Sequence, residues 1–242
     1  MRVAALADVH GNAVALEAVL ADLERDEPDL IVSCGDLTWG PLPLETVALL
    51  EPWRERLLCV RGNSERELVE RKLVDSEIAV WEHARHDRPE LAEYLARTQQ
   101  TVTVEIDGLG PTLFCHGSPR SDEECVTVET PAQRVAEFTS GVDARCIVTA
   151  HTHMQYDRRV AETRLLNPGS VGLPYEPEPG SAYWALLGPD VELRRTAYDL
   201  DAAVERLRAG GMPRFEQIEE LMRTPPPHAE VIEHAERVVF SG

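Results

Sequence analysis

The amino-acid sequence predicts an α/β fold, and three observations carry this prediction. The chain has 242 residues, which is enough for one large domain with a buried core. Its hydrophobic fraction of 43% and charged fraction of 28% are typical of a folded globular protein. Short apolar runs alternate with stretches of helical periodicity from the N-terminus onward. Such alternation indicates parallel βαβ units, in which helices cover both faces of the sheet.

Each element follows from the local pattern of apolar residues. We predict strands at residues 3–7, 30–34, 57–60, 101–106, 112–115, 146–149, 158–160, 163–166, 182–187 and 191–197. We predict helices at residues 12–25, 44–50, 131–138, 200–209 and 215–222. Short turns rich in Gly, Pro and Asn separate the later strands, which suits antiparallel pairing.

Two segments stand outside this alternation. Residues 64–98 are rich in charge and contain no strand-like run, so we predict two helices that form a lid or side element. The run TPPP at residues 224–227 separates a short helical C-terminal tail. We therefore predict one domain over residues 1–223, with residues 64–98 as an insert within it and residues 224–242 as the tail.

Charge and composition argue against several classes of protein. The chain carries 24 Lys+Arg against 43 Asp+Glu, a formal net charge of −19, which argues against binding of long nucleic acids through their phosphates. No apolar run approaches the roughly 18 residues that a membrane span requires. The N-terminal apolar run is too short for a signal peptide, so we expect a cytoplasmic protein without membrane contact. The five cysteines are odd in number and widely spaced, so we expect neither a disulfide framework nor a thiolate zinc site.

Side chains that can bind metal follow five of the predicted strands. In open α/β sheets, ligands bind beyond the carboxyl ends of the strands, so these side chains should converge on one edge. Within each Asp-x-His or His-x-His pair, residues two apart point the same way along an extended backbone. A single such motif is weak, because a buried histidine is more often a hydrogen-bonded core residue than a ligand; the joint placement predicts a metal site. The side chains are Asp8, His10, Asp36, Asn63, His116, His151 and His153.

The types and number of these donors constrain the metal. Four imidazoles, two carboxylates and one amide oxygen, with no thiolate, suit Mn²⁺, Fe, Zn²⁺, Co²⁺ or Ni²⁺ better than Ca²⁺ or Cu(I). Seven side chains exceed what one ion with an open position can use. Two ions about 3.5–4 Å apart, bridged by a carboxylate, would use them all. We expect two divalent metal ions, with Mn²⁺ as the first choice.

In this order, the motifs Asp8-x-His10, Gly35-Asp36, Gly62-Asn63, His116 and His151-x-His153 resemble those of the calcineurin-like metallophosphoesterases. The runs ALADVHGN at the N-terminus and NPGSVG at residues 167–172 are similar to the small bacterial and archaeal phosphodiesterase branch. The resemblance covers about residues 1–197. It implies a β-sandwich flanked by helices, in four layers α/β/β/α, with a small helical lid element.

The resemblance also implies a role for each donor. It implies that the catalytic residues include Asp36, Asn63 and His116, and that the reaction is hydrolysis of a phosphoester, in this branch a phosphodiester, by a hydroxide that bridges the metals. The implied partner is a small phosphorylated substrate, whose identity stays open, as does homo-oligomer formation. The implied ligands are Asp8, His10 and His153 for one metal and Asn63, His116 and His151 for the other, with Asp36 as the bridge.

Two positions depart from the family pattern. Many members have Gly-Asn-His followed by an acid, where the histidine protonates the leaving group or binds phosphate; here Ser64 follows Asn63. A general acid contributes roughly 10²–10⁴-fold, so we expect a bias toward good leaving groups such as aryl esters or anhydrides. Ala150 stands before His151 where Gly is usual, which matters only if the backbone there needs a positive φ.

Three further residues are candidates for binding substrate. Asn12 could bind phosphate, but asparagine is among the best helix N-caps and we favour that role. Arg61 could pair with a substrate oxyanion, although a surface salt bridge is the slightly favoured alternative. Trp39 could line the pocket or anchor its own loop by packing.

Other polar residues are assigned structural roles. His83 and His86 lie in the charged helical insert, and we expect both to face solvent. The turn at residues 167–170 is expected to support His153 rather than to touch substrate. Substrate selectivity would come from residues 64–98 and from the loops around Trp39 and Tyr175.

Fold alone does not establish an activity. One relative of this fold, a retromer subunit, resembles a phosphoesterase but serves chiefly as a protein-interaction scaffold, so a protein-binding scaffold with little or no catalysis is the competing hypothesis. A dinuclear-metal oxidase could use the same types of donor and is a third hypothesis. The complete set of donors favours the phosphoesterase over the scaffold, and the family resemblance favours it over the oxidase.

Overall fold

The computed structural model describes residues 1–70 and 77–237, which contain two five-stranded sheets. The strands, numbered along the chain, are β1 (Val3–Leu6), β2 (Leu30–Ser33), β3 (Leu57–Cys59), β4 (Thr101–Ile106), β5 (Gly110–Cys115), β6 (Cys146–Val148), β7 (Gln155–Val160), β8 (Thr163–Pro168), β9 (Ser181–Leu187) and β10 (Val191–Ala197). The first sheet has the order β10-β9-β1-β2-β3 and the second the order β4-β5-β6-β8-β7. Each predicted strand is present.

Helices connect and cover these strands. They are α1 (Ala13–Asp26), α2 (Pro43–Leu50), α3 (Asn63–Glu70), α4 (Glu77–His86), α5 (Pro89–Arg97), α6 (Ala132–Phe138), α7 (Leu200–Ala209), α8 (Phe215–Arg223) and α9 (His228–Arg237). A 3-10 segment (Glu51–Arg56) joins α2 to β3. The Pro-rich run at residues 224–227 separates α8 from α9, as the sequence predicts.

The strands that carry the candidate ligands run parallel within each sheet. In the first sheet β1 pairs with β2, with Val3 opposite Leu30, and β2 pairs with β3, with Ile31 opposite Leu57. In the second sheet β5, β6 and β8 pair in parallel. The remaining pairs are antiparallel. The carboxyl ends of the parallel strands of each sheet therefore lie at one edge.

The two sheets pack face to face, and helices cover their outer faces. Val3 and Ala5 of β1 point toward the second sheet and share a buried cluster with Phe114. Ala4 and Leu6 point the other way, into a cluster with residues of α1. Burial on both faces explains why β1 is an uninterrupted apolar run. Helix α6 covers the second sheet, which completes the predicted four layers.

The described residues of the insert are largely helical, as predicted, and form no strand. They lie in α3, α4 and α5; residues 71–76, between α3 and α4, are outside the described part of the chain, so the number of two helices stays a prediction. Pro89 separates α4 from α5, because Arg88 before it is extended and the proline occupies the first turn of the new helix.

Two expectations from composition concern cysteines and membranes. All five cysteines are free thiols and four of them are buried, so they behave as small apolar core residues. Within residues 1–70 and 77–237, every helix is too short or too polar to cross a bilayer.

Candidate metal centre

The seven donor side chains predicted from the sequence lie together at one edge of the sandwich. Four of them follow strands of the first sheet and three follow strands of the second. The prediction of a shared edge is confirmed, but the local sequence pattern did not show how the donors divide between the two sheets of the sandwich. The first sheet supplies Asp8, His10, Asp36 and Asn63, and the second supplies His116, His151 and His153.

One cluster consists of Asp8, His10 and His153, whose ligand atoms all lie within 4.8 Å of one another. The Nε2 atoms of His10 and His153 are 3.1 Å apart. Nε2 of His153 lies 3.5 Å from Oδ1 of Asp8. The cluster is buried and joins residues from both sheets.

A second cluster consists of Asp36, His116 and His151, again with ligand atoms within 4.8 Å of one another. Nε2 of His116 lies 3.5 Å from Oδ1 of Asp36 and 3.0 Å from Oδ1 of Asn63. The other carboxylate oxygen of Asp36 lies 3.9 Å from Nε2 of His10 in the first cluster. Asp36 thus stands between the two clusters, in the position that the resemblance assigns to a bridging ligand.

The backbone is strained at most of these donors. Eight non-glycine residues in the described parts of the chain have a positive φ, and five of the eight are candidate ligands. A non-glycine residue in such a conformation costs on the order of 1–3 kcal/mol and persists only where its surroundings fix it. Concentration of this strain at the donors indicates a functional site rather than a chance cluster. The five are Asp8 (51°), His10 (49°), Asp36 (52°), His151 (65°) and His153 (57°).

Backbone carbonyls orient two of the imidazoles. Nδ1 of His116 donates to the carbonyl oxygen of Cys34 at 2.8 Å, and Nδ1 of His153 donates to that of Leu173 at 2.7 Å. With the proton on Nδ1, each neutral ring presents the lone pair of Nε2 to the centre. This is the tautomer that a metal ligand requires.

A buried carboxylate that the sequence analysis missed holds the loop of Asp36. Glu65 is fully buried and accepts hydrogen bonds from the amides of Asp36, Leu37 and Gly62, each at 2.8 Å. Ser64 donates to Oδ1 of Asp36 through both its amide, at 3.0 Å, and its hydroxyl. The signal in the sequence was the acid two residues after Asn63, which only its burial distinguishes from a surface residue.

The two carboxylates of the centre have opposite pKa shifts. Burial raises the pKa of Asp8 well above its usual value, and the opposing effect of His116 does not cancel it. Burial acts in the same direction on Asp36, but His116, His10 and the Ser64 hydroxyl outweigh it and lower the pKa of Asp36. Of the two carboxyl groups, Asp36 is therefore the more readily ionised.

Most of the imidazoles are neutral. Burial lowers the pKa of His10 and of His153, and it lowers the pKa of His151 to about 4. The 3.5 Å contact between His153 and Asp8 is therefore not an ion pair. His116 differs, because Asp36 and Asp8 outweigh its burial and raise its pKa.

Two contacts of the donor atoms show where a cation would fit. Oδ1 of Asp8 is buried and has no hydrogen-bond partner among the described residues. Nε2 of His116 lies 3.0 Å from Oδ1 of Asn63, and because Nδ1 already donates to Cys34, this contact is favourable only with a proton or a cation between the two atoms. The raised pKa of His116 indicates the proton when no cation is bound. The donor set therefore fits divalent cations bound by nitrogen and oxygen ligands.

The candidate substrate residues have mixed outcomes. The side chain of Asn12 accepts from the amide of Ala15 at 3.1 Å, so its predicted role as an N-cap is confirmed. Trp39 packs on the cluster formed with α7 and α8, as considered for a loop anchor, and it meets the ring of His10 edge-on at 5.4 Å; its place in a substrate pocket stays a prediction. Arg61 forms no ion pair with a described residue, and its buried Nε has no partner there.

Three further expectations concern the turn at residues 167–170, Ala150 and His86. Asn167 donates to the carbonyl of Ala150 at 3.0 Å, and the Ser170 hydroxyl donates to that of Asp8 at 2.7 Å, so this turn supports the metal loops. Ala150 does not have a positive φ, so replacement of glycine there costs little. His86 is only 7% exposed, so the expectation that it faces solvent is wrong.

Comparison with known families agrees with this geometry. Residues 1–187 match the model of the calcineurin-like phosphoesterase superfamily domain. The chain belongs to this superfamily. Its members use divalent metals, and the two donor clusters provide candidate ligands here. No curated protein matches the chain.

Solved structures share the fold along almost the whole chain. A metallophosphoesterase from Sphaerobacter thermophilus matches with a TM-score of 0.72 and 26% identity, covering 93% of this chain and 100% of that one. A hypothetical protein from Pyrococcus horikoshii matches with a TM-score of 0.74 and 20% identity, covering 91% and 97%. A single mutant of Vps29 from Entamoeba histolytica matches with a TM-score of 0.50 and 17% identity, covering 82% and 100%. The last two matches show similarity of fold alone.

Proposed function

We propose that this protein is a metal-dependent phosphoesterase that hydrolyses phosphodiester bonds in small phosphorylated molecules. The observation that carries the proposal is the convergence of the seven donors on one edge, with five of them held at strained backbone positions. In this proposal two divalent cations, with Mn²⁺ as the first choice, occupy the two clusters. The first ion is held by Asp8, His10 and His153 and the second by Asn63, His116 and His151, with Asp36 between them.

Two cations bound in this way supply Lewis acidity toward the phosphate oxygens and lower the pKa of a water nucleophile. The chain's own residues supply position. Glu65 and Ser64 fix the Asp36 carboxylate, so little reorganisation is needed when substrate binds. The carbonyls of Cys34 and Leu173 hold two imidazole rings in the ligating tautomer.

The residue at position 64 bears on which leaving groups the proposed enzyme can expel. The Ser64 hydroxyl donates to Asp36, so it is committed to holding a ligand rather than to protonating a leaving group. No imidazole occupies that position to serve as a general acid, whose contribution is roughly 10²–10⁴-fold. We therefore propose that substrates carry good leaving groups, such as aryl alcohols or phosphoanhydrides, and that Trp39 beside His10 forms part of the substrate wall.

The proposal is tested by turnover and metal content together. Purified protein with added Mn²⁺ should hydrolyse bis(p-nitrophenyl) phosphate, and elemental analysis should find about two metal ions per chain. Asp36→Asn should reduce turnover by at least about 10³-fold, because it removes the charge shared between the clusters. The matched control is Asp201→Asn on the exposed face of α7, which should leave turnover unchanged. Absence of turnover for phosphomonoesters, diesters and anhydrides with each of the five metals would refute the proposal.

The alternative is a protein-binding scaffold with little or no activity. The fold similarity to Vps29 is the reason to consider this alternative, but similarity of fold does not bear on whether the donors of this chain bind metal. The two hypotheses differ in metal content. Metal-free protein that copurifies with a partner supports the scaffold, whereas two bound ions and loss of turnover in Asp36→Asn support the enzyme.

A further inference from the structure

The loop after Asp36 is locked against the loop that carries His10. The amide of His10 donates to the carbonyl of Asp36 at 2.9 Å, and the amide of Gly11 donates to that of Leu37 at 2.9 Å. Gly40 has a φ of +142°, and a Cβ there would lie only 1.8 Å from the carbonyl oxygen of His10. Residues 37–40 thus lie directly on the backbone of a candidate ligand, and Trp39 meets the His10 ring.

Helix α4 of the insert holds this loop through two buried side chains. The amide of Gly40 donates to Oε1 of Glu82 at 3.2 Å. Nε2 of His86 lies 2.9 Å from the hydroxyl of Thr38, and its Nδ1 donates to the carbonyl of Glu82 at 2.9 Å. With Nδ1 protonated, Nε2 accepts from the Thr38 hydroxyl. Glu82 and His86 are one helical turn apart and therefore hold the loop on both sides of Trp39.

The helix that makes these contacts is itself anchored. Arg85 donates to the carbonyl of Gly210 at 2.9 Å, and its guanidinium lies 3.7 Å from the centre of the Trp81 ring. Trp81 and Ile78 pack against the apolar cluster of α7 and α8. Helix α4 therefore connects a fixed part of the domain to the Thr38–Gly40 segment.

Glu82 and His86 do not form a salt bridge despite their proximity. Oε2 of Glu82 lies 3.3 Å from Nδ1 of His86. Burial raises the pKa of Glu82 to about 8 and lowers the pKa of His86, so both are neutral near pH 7. Burial of a carboxyl group without an ion pair lowers the stability of the fold. The contact that Glu82 does make is with the amide of Gly40, so its role is to hold the loop at residues 38–40.

We infer that the insert is a positioning element rather than a lid: Glu82 and His86 of α4 hold Thr38 and Gly40, and thereby fix Trp39 against His10. Both are positioning residues, since neither touches the candidate ligands. The inference rests on the proposed function only where it concerns metal affinity. Its effect on Trp39 is independent of any catalysis.

The first test uses a pair of variants at Thr38. Thr38→Val removes the hydroxyl at nearly constant volume, whereas Thr38→Ser keeps it. The readout is acrylamide quenching of Trp39, obtained in each background as the difference from the same protein with Trp39→Phe, because Trp53, Trp81 and Trp184 also emit. Thr38→Val should raise the quenching of Trp39 at least about 2-fold, and Thr38→Ser should restore the wild-type value. Equal quenching in all three proteins would overturn the inference.

The second test uses Glu82→Ala and the control Glu90→Gln, which alters an exposed acid of the insert. Loss of a group that hydrogen-bonds a ligand costs about 10–100-fold in metal affinity. Glu82 acts on His10 only through the Thr38–Gly40 segment, so Glu82→Ala should weaken Mn²⁺ binding, measured by calorimetry, by about the lower bound of 10-fold. Glu90→Gln should bind like wild type. Unchanged Mn²⁺ affinity in Glu82→Ala overturns the inference. If wild-type protein binds no Mn²⁺, the proposed function fails, and the quenching of Trp39 in the Thr38 pair still decides the role of the insert.

Discussion

Glu65 provides a direct test of how the centre is held in place. Its carboxylate accepts from the amides of Asp36, Leu37 and Gly62 and is fully buried. Glu65→Met keeps the approximate volume but leaves three buried N–H groups without an acceptor. Each such group costs about 1–3 kcal/mol. Burial raises the pKa of Glu65, which shows that the buried carboxylate itself carries a desolvation cost. Replacement by Met removes this cost and offsets part of the free energy lost with the hydrogen bonds. The expected decrease in the free energy of unfolding is therefore near the lower bound, about 3 kcal/mol.

The measurement is urea unfolding of metal-free protein in EDTA, which separates the hydrogen bonds from any effect of cations. Glu65→Gln should lose less than Glu65→Met, because the amide oxygen still accepts at least one of the three N–H groups. Glu216→Met, at an exposed acid on α8, should stay within about 0.5 kcal/mol of wild type. A Glu65→Met protein as stable as wild type would show that this carboxylate does not hold the loops.

Two further predictions concern pH and metal. Burial raises the folded-state pKa of Glu82 to about 8, so between about pH 5 and 8 the folded protein keeps a proton on Glu82 that the unfolded chain has lost. The free energy of unfolding should therefore fall as pH rises through this range, by up to about 1.4 kcal/mol per pH unit. Glu82→Gln should flatten this decline in urea unfolding at several pH values, since neighbouring His86 stays neutral; an identical slope would contradict the assignment. Addition of Mn²⁺ at about 100 times its dissociation constant should stabilise the folded state by about 2.7 kcal/mol and raise Tm by several degrees, with reversal by EDTA. His153→Ala should reduce the bound metal by about one ion per chain in elemental analysis, and an unchanged stoichiometry would remove His153 from the ligand set.

Local sequence pattern was sufficient to locate the centre, because the donors follow buried strands and the ends of such strands meet. It did not reveal that the strands divide between two sheets, since periodicity within a strand carries no information about its partner. The burial of His86 escaped notice for a related reason. The buried stripe of α4 consists of Ala79, Glu82 and His86, so two of its three residues are polar and the usual apolar signal of a core face is absent.

The division between sheets gives the proposed cations a structural role as well. Asp8 and His10 of the first cluster extend from the first sheet, whereas His153 extends from the second. The second cluster likewise combines Asp36 with His116. An ion bound in either cluster would therefore connect the two sheets at an edge where their ligands are strained and their charges are buried. Since no disulfide joins the sheets, hydrogen bonds and the apolar packing between the sheets hold this edge until metal binds. Metal binding and stability of the sandwich are for this reason expected to rise together.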